Sequence, residues 1–123
     1  MILPELDVRN PASLSEALQM MAESPGARPL AGGTDLLVLL KQRLLPAGPL
    51  IDLGRLPELE TLGTVGEYLV IGAGVTLREV SENTLVRNFF PALSEAAAAA
   101  ASPNLRNMGT IGGNLCLFPR CLY

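Results

Sequence analysis

Two Gly-Gly pairs, each flanked by threonine, constrain this chain more than any other feature. They lie in Leu30-Ala-Gly-Gly-Thr-Asp-Leu36 and in Asn107-Met-Gly-Thr-Ile-Gly-Gly-Asn-Leu115, and each follows a stretch that reads as regular structure. Glycine has no Cβ and is open to positive φ, so its backbone turns sharply and approaches other groups closely. Successive N–H groups in such a turn form a concave anion site, reinforced where a helix begins. For one Gly-Gly-Thr taken alone, a plain strand-to-helix turn with a capping threonine is the simpler account. Two together point to one diphosphate held from two sides. Neither fits G-x-G-x-x-G or G-x-x-x-x-G-K-[ST], and the missing lysine argues against a triphosphate.

Composition narrows the chemistry. The 123 residues make one domain at most, and 49% hydrophobic against 17% charged residues is a folding composition. The net charge is −3 and no Lys/Arg patch interleaved with aromatics occurs, which argues against nucleic-acid binding. No run of about 18 uncharged apolar residues and no basic-then-apolar leader pattern is present, so neither a membrane span nor a secretion signal is expected and the expected setting is cytoplasmic. The chain has no histidine. That removes Ser-His-Asp and Cys-His catalysis and the commonest acid–base group near neutrality, leaving the chemistry to a cofactor. Its two cysteines, Cys116 and Cys121, both fall near the C-terminal end, unlike the scattered cysteines of a disulfide scaffold.

Local patterns predict a short strand over 2–8, then a helix opened by a Ser13/Glu16 capping box and striped by Leu14, Ala17, Leu18 and Met21. A strand over 28–31 feeds the first glycine turn. Thr34 is the expected N-cap of the next helix, with Asp35 suited to its start, and residues 36–40, apolar on every side, predict deep burial. A strand over 50–53, a turn at 55–58 and a hairpin of 61–65 with 68–71 across Gly66-Glu67 follow. Thr76 and Glu79 repeat the capping-box spacing, 83–87 read as a further helical turn, and Pro91 opens an alanine-rich helix over 92–101 that Ser102-Pro103 ends.

Four stretches recur in order: the first glycine turn, Ile51-Asp-Leu53, Ile71-Gly-Ala-Gly-Val-Thr-Leu77, and Ser102-Pro-Asn-Leu-Arg-Asn-Met followed by the second glycine segment. With this spacing the chain resembles the FAD-binding medium subunits of molybdenum hydroxylases, the xanthine dehydrogenase and carbon monoxide dehydrogenase family. The resemblance implies an α+β fold, an FAD-binding domain of the PCMH type shared with vanillyl-alcohol oxidase. Residues 1–123 would be its N-terminal portion, with the domain continuing beyond. It also implies FAD contacts from Leu30, Ala31, Gly32, Gly33, Thr34, Asp35 and Leu36 in the first loop, and from Thr110, Ile111, Gly112, Gly113 and Asn114 in the second. No residue is implied as catalytic. Asp35, repulsive towards a diphosphate, is expected to serve the helix start or nearby N–H groups. Arg106 reads either as charge compensation for the diphosphate or as a solvated surface arginine.

The resemblance further implies partners: a large subunit with a molybdenum cofactor, a small subunit with [2Fe–2S] clusters, and an external carrier such as ferredoxin, NAD or a quinone. The C-terminal Cys116-Leu-Phe-Pro-Arg-Cys-Leu-Tyr123 is similar to the 4-hydroxybenzoyl-CoA reductase β subunit, where Arg-Cys begins an insertion holding a [4Fe–4S] cluster. On that likeness Cys121 is the cluster ligand and Cys116 has no counterpart. Three readings stand open: this reductase type, an ordinary medium subunit without the extra cluster, and an assembly module that has lost flavin.

Overall fold

The computed structural model describes residues 2–120, which form two small layers meeting along a glycine-lined seam. The first is a parallel sheet in the order β1 (Val8–Arg9), β3 (Leu50–Asp52), β2 (Arg28–Leu30). Val8 faces Leu50 in one pair and Leu30 faces Asp52 in the other. The strand expected over 2–8 reduces to Val8–Arg9, where β3 supplies a ladder partner.

Helix α1 (Leu14–Glu23) crosses from β1 to β2. Its start was legible: Ser13 Oγ accepts the Glu16 N–H at 3.1 Å. The reciprocal bond is shifted by one residue, because Glu16 takes the N–H of Ala12 at 2.6 Å. Ala17, Ile51 and Leu56 form the core of this half.

The second layer begins with the hairpin β4 (Leu62–Val65) and β5 (Tyr68–Ile71), closed by Val65 opposite Tyr68 with Gly66 at φ 58°. Helices α3 (Leu77–Glu82), α4 (Thr84–Phe89) and α5 (Pro91–Ala99) pack with it. Val75, Val80, Val86 and Ala97 make their shared core. Fully burying a valine contributes about 1.5–3 kcal/mol, so Val80 and Val86, both without exposed surface, hold this half together. The Ser94 hydroxyl ties α5 to α3 by donating to Ser81 O at 2.8 Å.

Three expectations need correcting. Helix α2 (Leu36–Lys41) buries only Leu40 fully, and Val38 faces outwards, because a six-residue helix of 3.6 residues per turn offers the core one side. The alanine-rich helix stops at Ala99. Ser102-Pro103 ends nothing: Ser102 caps a new helix, α6 (Pro103–Met108), with Pro103 in its first turn. The second glycine segment is no open turn either, since α7 (Ile111–Leu115) contains both Gly112 and Gly113.

Candidate functional site

The first loop leaves β2 at Leu30 and enters α2 at Leu36. Gly33 sits at φ 72°, the left-handed region that a side chain resists, and a Cβ there would also lie 2.9 Å from Leu37 Cδ1. Asp35, not Thr34, is the N-cap, and its carboxylate makes no capping bond. It pairs instead with Arg120, Nη2 to Oδ1 at 2.6 Å. None of the N–H groups of Ala31, Gly32, Gly33, Thr34 and Asp35 donates to an acceptor among the described residues. A run of N–H groups without partners among the described residues, at a glycine turn, is where an anion site can form.

The second segment is built differently. Thr110 caps α7, and its Oγ1 accepts the Gly113 N–H at 3.2 Å. The Ile111 N–H goes to Val75 O (2.8 Å), that of Gly112 to Ala73 O (2.9 Å) and that of Asn114 to Thr110 O (2.9 Å). The N–H groups of residues 111–114 are therefore spent inside the protein, while that of Thr110 donates to no acceptor among the described residues. Thr110 itself is buried, and its hydroxyl accepts from Gly113 while keeping its own proton to donate.

The two segments nevertheless meet. A Cβ on Gly32 would overlap the Met108 carbonyl, so the first loop lies directly on the C-terminal end of α6. A Cβ on Gly109 would come within 3.5 Å of Thr34 Oγ1. Thr76 and Thr110 face one another in an antiparallel bridge that joins the N-caps of α3 and α7. Together these contacts shape a cleft of about 390 Å³ whose walls include Ala31, Gly32 and Thr110. Leu30, Gly33, Thr34, Asp35, Leu36 and residues 111–114 do not line it.

Its remaining walls come from residues that sequence reasoning passed over, notably Asn107, Met108, Thr76, Glu79 and Glu60. The Thr76/Glu79 capping box was the available signal. Glu79 Oε2 accepts from the Thr76 N–H (2.8 Å) and hydroxyl (2.7 Å), which fixes one carboxylate on the wall. Glu60 and Glu79 thus put carboxylates on the cleft wall, while Ala31 and Gly32 bring N–H groups that have no partner among the described residues. Arg106 follows neither expectation: its Nη1 donates to Ala100 O at 2.9 Å and Ala101 O at 3.1 Å, away from the glycine loop. Cys116 ends α7 as an exposed free thiol, and Cys121 lies outside the described residues.

Residues 4–118 match the family described as FAD binding domain in molybdopterin dehydrogenase. The chain belongs to this family. It is 37% identical over 116 residues to the carbon monoxide dehydrogenase medium chain of Hydrogenophaga pseudoflava, covering 94% of this chain and 40% of that one. A xanthine dehydrogenase FAD-binding subunit of Escherichia coli is 37% identical over 107 residues, 85% of this chain and 36% of its own length. The crystal structure of quinoline 2-oxidoreductase from Pseudomonas putida 86 superposes with a TM-score of 0.89 at 38% identity, over 94% of this chain and 40% of that one. The α+β architecture and FAD as the ligand of this domain are thereby shown, and the chain spans about two fifths of the length of the relatives it matches. The free donors of residues 31–35 and the neighbouring Thr110 hydroxyl fit an FAD diphosphate. No helix among the described residues is long and apolar enough to cross a membrane.

Proposed function

We propose that this chain is the N-terminal part of the flavoprotein subunit of a cytoplasmic, molybdenum-containing oxidoreductase, passing electrons between an external carrier and [2Fe–2S] clusters of a partner subunit. The observation that carries the reading is the row of free N–H groups from Ala31 to Asp35, next to the cleft wall formed by Thr110 and α6. Bound FAD supplies the conversion between two-electron and one-electron transfer. The chain's own part is binding and orientation. Residues 30–36 hold the diphosphate by backbone donors, and Thr110 adds a hydroxyl. Residues 111–114 act at one remove, by fixing Thr110 through the Gly113 N–H and anchoring α7 on Val75 and Ala73. The large subunit with molybdenum and the choice of ferredoxin, NAD or quinone as carrier belong to the same proposal. Purification of the whole complex tests it: one FAD per copy of this subunit, reduced when the [2Fe–2S] clusters are reduced, is the expected result. A complex that turns over substrate with no flavin on this subunit overturns it.

One contact favours the finer 4-hydroxybenzoyl-CoA reductase type, with an added [4Fe–4S] cluster ligated by Cys121. The ion pair from Arg120 to Asp35 ties the residue just before Cys121 to the first loop, which supports the reading of a cluster insertion that begins close to the flavin. Four thiolates normally hold such a cluster, so the other ligands come from beyond Tyr123. In the full-length subunit, Cys121→Ser should lower bound iron and the broad visible absorbance, while the exposed Cys116 is replaceable by serine without change. Unchanged iron in Cys121→Ser returns the protein to the ordinary medium-subunit type.

A further inference from the structure

The geometry points to Arg106 as a positioning residue that latches the turn between α5 and α6 and thereby sets one wall of the FAD cleft, an inference resting on the FAD reading above. Ala101 in that turn adopts φ 48°, a conformation that residues with a Cβ enter only at a cost. Helix α5 ends just before it, leaving carbonyls with no helical partner. Arg106 reaches back one turn and gives one nitrogen to both Ala100 O and Ala101 O. Its positive charge also suits the C-terminal end of a nine-residue helix. The side-chain cap of α6, the Leu105 N–H donating to Ser102 Oγ, is long at 3.4 Å, so among the side-chain ties at this junction the arginine is the stronger.

The consequence travels along α6. Asn107 and Met108, the next two residues, line the cleft, and the Met108 carbonyl is the atom against which Gly32 packs. The same end of α6 continues to Gly109, whose carbonyl accepts the Leu77 N–H at 2.9 Å. Releasing the turn at Ala101 lets α6 shift against the first loop, although Arg106 itself does not line the cleft.

The test uses the full-length subunit with Arg106→Ala, Arg106→Lys, Ala101→Gly, and Arg106→Ala combined with Ala101→Gly. FAD affinity is read by flavin fluorescence, melting temperature without FAD separately, and amide exchange at Leu77 alongside. Arg106→Ala should weaken FAD binding about tenfold, as displacement of a supporting shell does, and speed exchange at Leu77. Lysine, which keeps the charge and one donor nitrogen but on a shorter stem, should fall between. Adding Ala101→Gly should restore both affinity and protection, because glycine holds φ 48° unaided. If Arg106→Ala lowers only the melting temperature, or if Ala101→Gly rescues nothing, the inference fails. A parent subunit that takes up no FAD would sink the functional reading instead, and the exchange at Leu77 would still decide the latch.

Discussion

At the scale of single residues, Asp35 poses a charge problem: a carboxylate beside a loop meant for a dianion works against binding. The structure answers it with Arg120, whose guanidinium meets that carboxylate at 2.6 Å. Both side chains are partly exposed, so the pair contributes little to folding, in the range of about 0–1 kcal/mol. On the proposed reading, its effect belongs to ligand binding, where it would cancel a repulsion. Arg120→Gln should weaken FAD binding by about threefold, and more at low salt because screening is then weaker. Asp35→Asn should remove the penalty, so that the double variant binds about as well as the parent. Fluorescence titration at two ionic strengths checks both, and an Arg120→Gln effect that persists undiminished in the Asp35→Asn background would reject the compensation.

At the scale of elements, legibility followed the range of the interactions that make each one. The hairpin around Gly66-Glu67 and the Thr76/Glu79 cap are written in neighbouring residues, and both stand where local chemistry put them. Ser102-Pro103 is equally local but ambiguous. A serine followed by proline closes one helix or, with serine as N-cap and proline in the first turn, opens another. After an alanine run it reads as a stop, which hides α6. The second glycine segment misled for a different reason. The N–H groups of Ile111 and Gly112 are committed to Val75 and Ala73, partners more than thirty residues away, and no local pattern reveals that commitment. The N–H groups of residues 31–35 have no such partners among the described residues; the walls at Glu60, Asn107 and Met108 are not legible in the sequence, because folding alone brings them together.

At the scale of the molecule, the two cores are separate clusters, one around Ala17, Ile51 and Leu56 and one around Val75, Val80, Val86 and Ala97. They communicate through backbone. Gly74 donates its N–H to Leu59 O at 2.8 Å, a Cβ on Gly72 would overlap the Leu59 carbonyl, and Gly32 packs on Met108. Glycine at position 32 is thus required by the join between halves as well as by any ligand. A Cβ there meets main-chain carbonyl, which no rotamer change relieves, so Gly32→Ala should cost about 3 kcal/mol, the upper end of ordinary substitutions. Gly63, in β4 with open space around it, is the control, and Gly63→Ala should shift stability by less than about 1 kcal/mol. Amide exchange of the FAD-free protein separates a seam defect from general loosening. In Gly32→Ala, protection should fall at Leu77, whose N–H is bonded to Gly109 O on the displaced side, while Val80 in its own core keeps its protection. Equal losses at Val80 and Leu77 would mean that the halves open as one unit and that Gly32 is not the hinge of their contact.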